Sequence, residues 1–466
     1  MSDNRFKNER NMAESKPASR RSVLTSGIAA AAGLLVGIAA GSQAFPRTVT
    51  AEKTVVQTQA VTRTETRAET RTETVVKQPP RIPAGDFTWK VSGSTNIVVV
   101  GAGPAGAQFT KRIVELVKNV NVTIIDRNSF WVSGPSHVDF VGGIKELKDA
   151  VVYFDKLVGD RVRLVNANVV AIDPAERRVE TNYGYTKYDL LVLAPGIELA
   201  TWEVPGLERV KNLHAWDPGL AVRLREELRK LDGGNVVFSV PPAPYKCPPA
   251  PYEVAFLSHE YLRELGKKVN VIVLDANANP QPPPKAKIFS EHMTKLGIDY
   301  RPNFKVVEVD ADKSEVVSDK GERVKFDFLS LLPPNVAPGF VRRAGLGARF
   351  MDIDPATFKS KSYDDIYGLG DAVASPYTKS AYVAQRSGRR LAELTAEKLG
   401  VTPPEKVSVF NTCWSYVNKK QLSVIEVEWD AKGAVVSGYP KVGDPTEENF
   451  GRRQAWERSL LLGIYG

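Results

Sequence analysis

Two cysteines are the only thiols in a chain of 466 residues, and each has an unusual setting: Lys246-Cys247-Pro248-Pro249 and Asn411-Thr412-Cys413-Trp414. A thiolate is a strong nucleophile, and two thiols together can hold or release an electron pair as a disulfide. A pair this sparse, in a chain that also carries a nucleotide fingerprint and an export signal, reads as one disulfide beside a redox cofactor. The competing reading is a structural crosslink, which over so long a loop stabilises by about 4 to 5 kcal/mol in the chain-entropy treatment. Six of the eleven residues from Pro241 to Pro251 are proline. A stabilising crosslink has no need of so stiff a mounting. Glu253, just past that loop, reads equally as a proton carrier or as a carboxylate at the positive end of a helix. Lys246 reads as a solvated loop charge before it reads as an attractor of anions.

The elements that must position these groups begin with an apolar run over 96–100, followed by Gly101-Ala102-Gly103-Pro104-Ala105-Gly106. An amphipathic helix to about 117 and a second strand over 120–125 ending at Asp126 complete a βαβ start. In this register Gly101 makes a tight turn, Gly103 lets backbone N–H groups approach a pyrophosphate, and Gly106 lets helix pack on strand. Asp126 is placed to take ribose hydroxyls. Tyr188-Asp189-Leu190-Leu191-Val192-Leu193-Ala194-Pro195-Gly196 reads as a buried strand closing in a turn, and Asp365 to Ala372 as a short strand ending in Gly370-Asp371. Both resemble segments of two-dinucleotide-domain flavoproteins, where Asp371 would accept from the ribityl chain. Behind them, residues 380–398 have helical spacing. That helix N-terminus, with Lys379 beside it, would face the anionic edge of a reduced flavin.

A second βαβ unit follows, with strands over 235–240 and 269–274 around a helix from about 252 to 265. Where a nicotinamide nucleotide needs glycines, this unit has the proline loop that carries Cys247. Proline has no N–H to donate, so no phosphate cradle can form there. The spacing therefore predicts a dinucleotide fold without NAD(P)H entry.

The formal charge of +9 is spread along the whole chain with no dense basic run, which argues against nucleic acid. Ser19-Arg20-Arg21-Ser22-Val23-Leu24 precedes an Ala/Gly-rich apolar stretch over 27–40, short for a bilayer span. This resembles a twin-arginine export signal, with an ordinary signal or an anchor as the alternative. Ser42-Gln43-Ala44 offers a cleavage site. Residues 48–81 are a low-complexity Thr/Arg/Glu stretch, read as an exposed stalk and possible membrane tether. The expected location is extracytoplasmic.

Taken together, Ala194-Pro195-Gly196-Ile197-Glu198-Leu199, His214-Ala215-Trp216, the block Pro241 through Glu253, Leu332-Pro333-Pro334 and Asn411-Thr412-Cys413 resemble the flavoprotein subunit of flavocytochrome c sulfide dehydrogenase. The likeness runs over nearly everything after Ser94. It implies an α/β fold of two Rossmann-like domains of the disulfide-reductase type plus a C-terminal α+β interface domain. The expected organisation is 1–44 signal or anchor, 45–92 linker, 93–210 and 325–400 FAD-binding domain, 211–324 second Rossmann-like domain, and 401–466 interface domain. Contacts to FAD are implied at Gly101, Gly103, Gly106, Asp126 and Val169. Further contacts are implied at Ala194, Gly196, Gly370, Asp371 and Lys379.

By the same resemblance, Cys247 and Cys413 form a redox disulfide over the flavin. Hydrosulfide attacks Cys247, and Cys413, facing the flavin, passes on the electron pair. The family's flavin-linking cysteine falls at Gly134, so FAD is expected to be non-covalent. The chain has no Cys-x-x-Cys-His, so a c-type haem must sit on a partner. With four scattered histidines, no metal site is expected. The related sulfide:quinone oxidoreductases usually end in amphipathic membrane-docking helices, whereas here a short run over 459–462 precedes the end. The expected acceptor is therefore a c-type cytochrome, with quinone as the alternative. A flavin-binding sulfur carrier without turnover is the non-enzymatic alternative.

Overall fold

This computed structural model describes residues 85–466; the twin-arginine segment, the apolar stretch after it and most of the linker lie outside the described residues. The first domain opens with β1 (Thr95–Val100), α1 (Pro104–Leu116), β2 (Val120–Asp126), α2 (Gly134–Val141), β3 (Val162–Asn166) and β4 (Leu190–Leu193). The second comprises α3 (Pro218–Lys230), β5 (Gly233–Val240), α4 (Ala250–Glu264), β6 (Lys268–Asp275), α5 (Ala286–Leu296), β7 (Asp299–Arg301) and β8 (Phe328–Leu331). The chain then returns through α6 (Gly339–Arg343), β9 (Ile366–Gly368) and α7 (Ala381–Lys398). It finishes in β10 (Val409–Tyr416), β11 (Leu422–Trp429), β12 (Lys441–Thr446) and α8 (Glu447–Tyr465).

The first sheet is parallel, in the order β9-β4-β1-β2-β3. Helices cover parallel sheets on both faces, which is why β1 and β4 read as unbroken apolar runs and Ile97 through Val100 are buried. The second sheet, β7-β6-β5-β8, is parallel as well. The last three strands form an antiparallel sheet, and α8 runs from it back to the first domain. There the Tyr465 hydroxyl donates to Ala102 O at 2.9 Å.

Three expected boundaries move. Gly85 and Asp86 pair with Gly184 and Tyr185, and Arg163 lies over the rings of Phe87 at 5.8 Å and Trp89 at 5.4 Å. The folded body thus begins before residue 93, inside the expected linker. Strand β8 pairs with β5, Val236 against Phe328 through Ser239 against Leu331. It completes the second sheet, not the FAD domain, because the partner of a short, fully buried strand is chosen by tertiary packing. Finally, 459–462 is no separate run but part of a 19-residue helix. Among the described residues, no helix is long and apolar enough to cross a membrane.

Candidate active site between the two domains and the C-terminal sheet

A cavity of about 340 Å3 opens where the glycine turn after β1, the proline loop before α4, the start of α7 and strand β10 meet. Gly101, at φ +99°, needs glycine twice over: a Cβ would stand 2.2 Å from Ala194 O. A Cβ at Gly106 would meet Gly101 O at 2.0 Å, so this glycine sets how closely α1 packs on the turn and does not itself line the cavity. Gly103 has nothing within 4 Å of its Cβ position and lines the cavity, leaving room for a phosphate group against the backbone. Asp126 lines it too, its carboxylate accepting from the N–H groups of Ala102 and Asn128, both at 2.8 Å. Burial pushes that carboxyl up.

Ala194, Gly196, Gly370 and Asp371 border the same space. Asp371 Oδ1 is buried with no hydrogen-bond partner, an acceptor left over for a ligand hydroxyl. Helix α7 starts at the cavity; Ser380 caps it, accepting from Val383 N at 3.2 Å. The glycine turn, open Gly103, unpaired Asp371 and this helix start fit FAD, as expected from the sequence. Besides Gly106, two other expected contacts lie outside the cavity lining. Val169 is on an outer strand, paired with Thr181. Lys379 turns its ammonium onto the carbonyls of Asp371 at 2.9 Å and Val373 at 2.6 Å, and over the Phe350 ring at 3.9 Å. Burial pushes it down to about 8, and its two carbonyl contacts tie it to the Asp371 turn.

Both cysteines line the cavity. Cys247 has φ +54°, left-handed backbone that costs a side-chain-bearing residue free energy unless neighbours impose it. They do: its N–H donates to Lys379 O at 2.8 Å, Lys246 N–H to Asn335 Oδ1 at 2.9 Å, and the buried Tyr245 hydroxyl to Pro248 O at 2.8 Å. Burial pushes the Cys247 thiol well up, and the Glu253 carboxylate adds to this. Cys413 comes from the middle of β10; burial raises its thiol also, but Lys285 opposes the rise.

Glu253 is buried in the first turn of α4 and accepts from Tyr416 N at 2.8 Å. It stands in the first turn of a helix and also lines the cavity. Desolvation pushes its carboxyl up to about 7, against the pull of Arg453. Four neighbours were not singled out from sequence. His137 on α2 lines the cavity, holds Ala215 O at 2.9 Å through Nδ1, leaves Nε2 unpaired and is pushed down to about 4 by burial. Trp456 and Arg453 arrive on α8, and Lys285 lies beneath Cys413. Nothing local marks these; Lys285 follows Pro282-Pro283-Pro284 and looks like a loop charge.

Residues 95–235 match the family described as pyridine nucleotide-disulphide oxidoreductase, and 221–333 the family described as sulfide dehydrogenase [flavocytochrome c] flavoprotein chain, central. The mitochondrial sulfide:quinone oxidoreductase of Mus musculus is 26% identical over 353 residues, 72% of this chain and 78% of that one. A type II NADH:quinone oxidoreductase of Staphylococcus haemolyticus is 32% identical over 115 residues, 24% of this chain and 29% of that one. Among solved structures, the sulfide:quinone oxidoreductase of Aquifex aeolicus superposes with a TM-score of 0.69 at 18% identity, covering 80% of this chain and 92% of that one.

The fold is therefore that of the FAD-binding disulfide oxidoreductases. Within that class, the chain is a protein like the flavoprotein chain of flavocytochrome c sulfide dehydrogenase, with sulfide:quinone oxidoreductases as relatives.

Proposed function

We propose that the chain is an exported FAD-dependent sulfide dehydrogenase that works through a disulfide between Cys247 and Cys413. The observation that carries this is the meeting of both cysteines in one cavity with the FAD-type lining, Cys247 held there in strained backbone. Hydrosulfide adds to Cys247 Sγ, the S–S bond breaks, and Cys413 is left as thiolate. FAD, held non-covalently by the glycine turn and Asp371, supplies the two-electron acceptor. Glu253, near neutral in its proton affinity, holds or releases a proton beside the two sulfurs.

Entry of electrons from NAD(P)H is disfavoured by the second domain. At the end of β6, Asp275 is already taken by the hydroxyls of Tyr252 at 2.6 Å and Tyr300 at 2.9 Å. The separate pocket against Pro241, Pro242 and Ala276, at the ends of β5 and β6, holds only about 10 Å3.

The proposed acceptor is a c-type cytochrome. Quinone is the second reading, favoured by the aromatic wall in which Trp456 stacks on Tyr382 at 5.6 Å and meets Trp414 at 5.8 Å, and by the matches to sulfide:quinone oxidoreductases. Anaerobic reduction by sulfide, followed by cytochrome c or a short-chain quinone, decides between them. Reoxidation by cytochrome alone is expected. Reoxidation by quinone alone establishes the second reading, and flavin reduction by NADH but not by sulfide removes both.

A further inference from the structure

Lys285 is wholly buried, and its ammonium has only neutral partners: Cys413 O at 3.0 Å, Ser423 O at 3.2 Å and Ser415 Oγ at 2.7 Å. No carboxylate pairs with it among the described residues. A buried cation without a carboxylate in direct contact is costly, so its retention at the end of the turn Pro283–Lys285 calls for a physical reason. An ammonium can only donate. Ser415 Oγ must therefore accept from Lys285, which frees its own hydrogen to donate, and Cys413 Sγ lies 3.8 Å away.

We propose that Lys285, through Ser415, is a positioning residue that stabilises the thiolate of Cys413 and so makes Cys413 the sulfur released when hydrosulfide attacks Cys247. This rests on the sulfur-pair chemistry above. The step balances: HS⁻ forms an S–S bond to Cys247, the Cys247–Cys413 bond breaks, and its electron pair stays on Cys413. The hydrogen of the nucleophile remains on the outer sulfur of the new persulfide. The asymmetry between the two sulfurs supports this direction. Lys285 is the largest neighbour effect on Cys413 and lowers it; Glu253 from α4 raises it and Arg453 from α8 lowers it. At Cys247 the largest neighbour effect is the Glu253 carboxylate, which raises the thiol, followed by Cys413. Lys285 itself is pushed down to about 8 by burial and held up by Cys413, Glu253 and Cys247, as suits a cation awaiting a nearby negative charge.

In FAD-loaded Cys247→Ser protein, Cys413 is the only thiol of the chain, so its ultraviolet thiolate absorbance and its alkylation rate can be followed against pH. Adding Lys285→Met should raise the midpoint by about one unit, a roughly tenfold fall in alkylation rate at neutral pH. Adding Ser415→Ala instead should move it the same way by less, and decides alone if Lys285→Met does not fold. Unchanged titration with either substitution overturns the proposal. So does persulfide found on Cys413 instead of Cys247 when the otherwise unaltered protein meets sulfide. A shifted titration in a chain that sulfide cannot reduce leaves the Lys285 assignment standing and removes the functional reading; sulfide reduction without the shift does the reverse.

Discussion

A carboxyl stripped of water cannot be both ionised and comfortable, and Glu253 shows the consequence. Its carboxyl is pushed from 4.5 up to about 7. The folded state thus keeps a proton that the unfolded chain releases near 4.5, and the stability tied to neutral Glu253 is fully present below that pH and lost as pH rises through about 7. Glu253→Gln never ionises; it should match the parent in acid and exceed it above neutrality by up to about 3 kcal/mol in denaturant unfolding. Identical pH profiles would refute this. Gly134 carries a second prediction at this scale: glycine forms no thioether, so acid precipitation should leave all flavin in the supernatant, and flavin retained in the pellet contradicts it. At the residue level, the two cysteines, the proline loop and the glycine turn were legible because each is a local exception to ordinary sequence. Lys285, His137 and Arg453 were not, since a buried polar side chain is defined by distant partners that no local spacing reveals.

Among the elements, α8 ties the C-terminal sheet to the cavity wall. Arg453 pairs with Asp139 of α2 at 2.7 Å, both buried, and donates to Pro135 O at 2.9 Å. Glu457 accepts from Ser133 and Ser136 and pairs with Lys145 at 3.0 Å. Removing one member of a buried pair strands the other charge, so Arg453→Met should cost about 3 to 5 kcal/mol in denaturant unfolding. A loss below about 1 kcal/mol would mean that the network is not what fixes the helix. The two βαβ units were readable to within two residues, because period and flanking turns agree there. The affiliation of β8 and the length of α8 were not: a short, fully buried strand fits either sheet, and a helix that buries Arg453 and Glu457 as well as Leu460 and Ile464 lacks a clean amphipathic stripe.

Over the whole molecule, the two Rossmann-like units present different surfaces at the ends of their strands. One keeps an open glycine turn and an unpaired acceptor at Asp371. In the other, tyrosines occupy the acid at Asp275, and the loop after β5 is proline-rich and carries Cys247 in left-handed backbone. If the sulfur on the proline loop serves the flavin of the first domain, a stoichiometric anaerobic titration with sulfide, followed by flavin absorbance, shows it. One equivalent of sulfide per flavin should bleach the unaltered chain, while Cys247→Ser and Cys413→Ser, each still binding FAD, should stay oxidised. Bleaching that persists in either variant would mean that electrons reach the flavin without the Cys247–Cys413 pair.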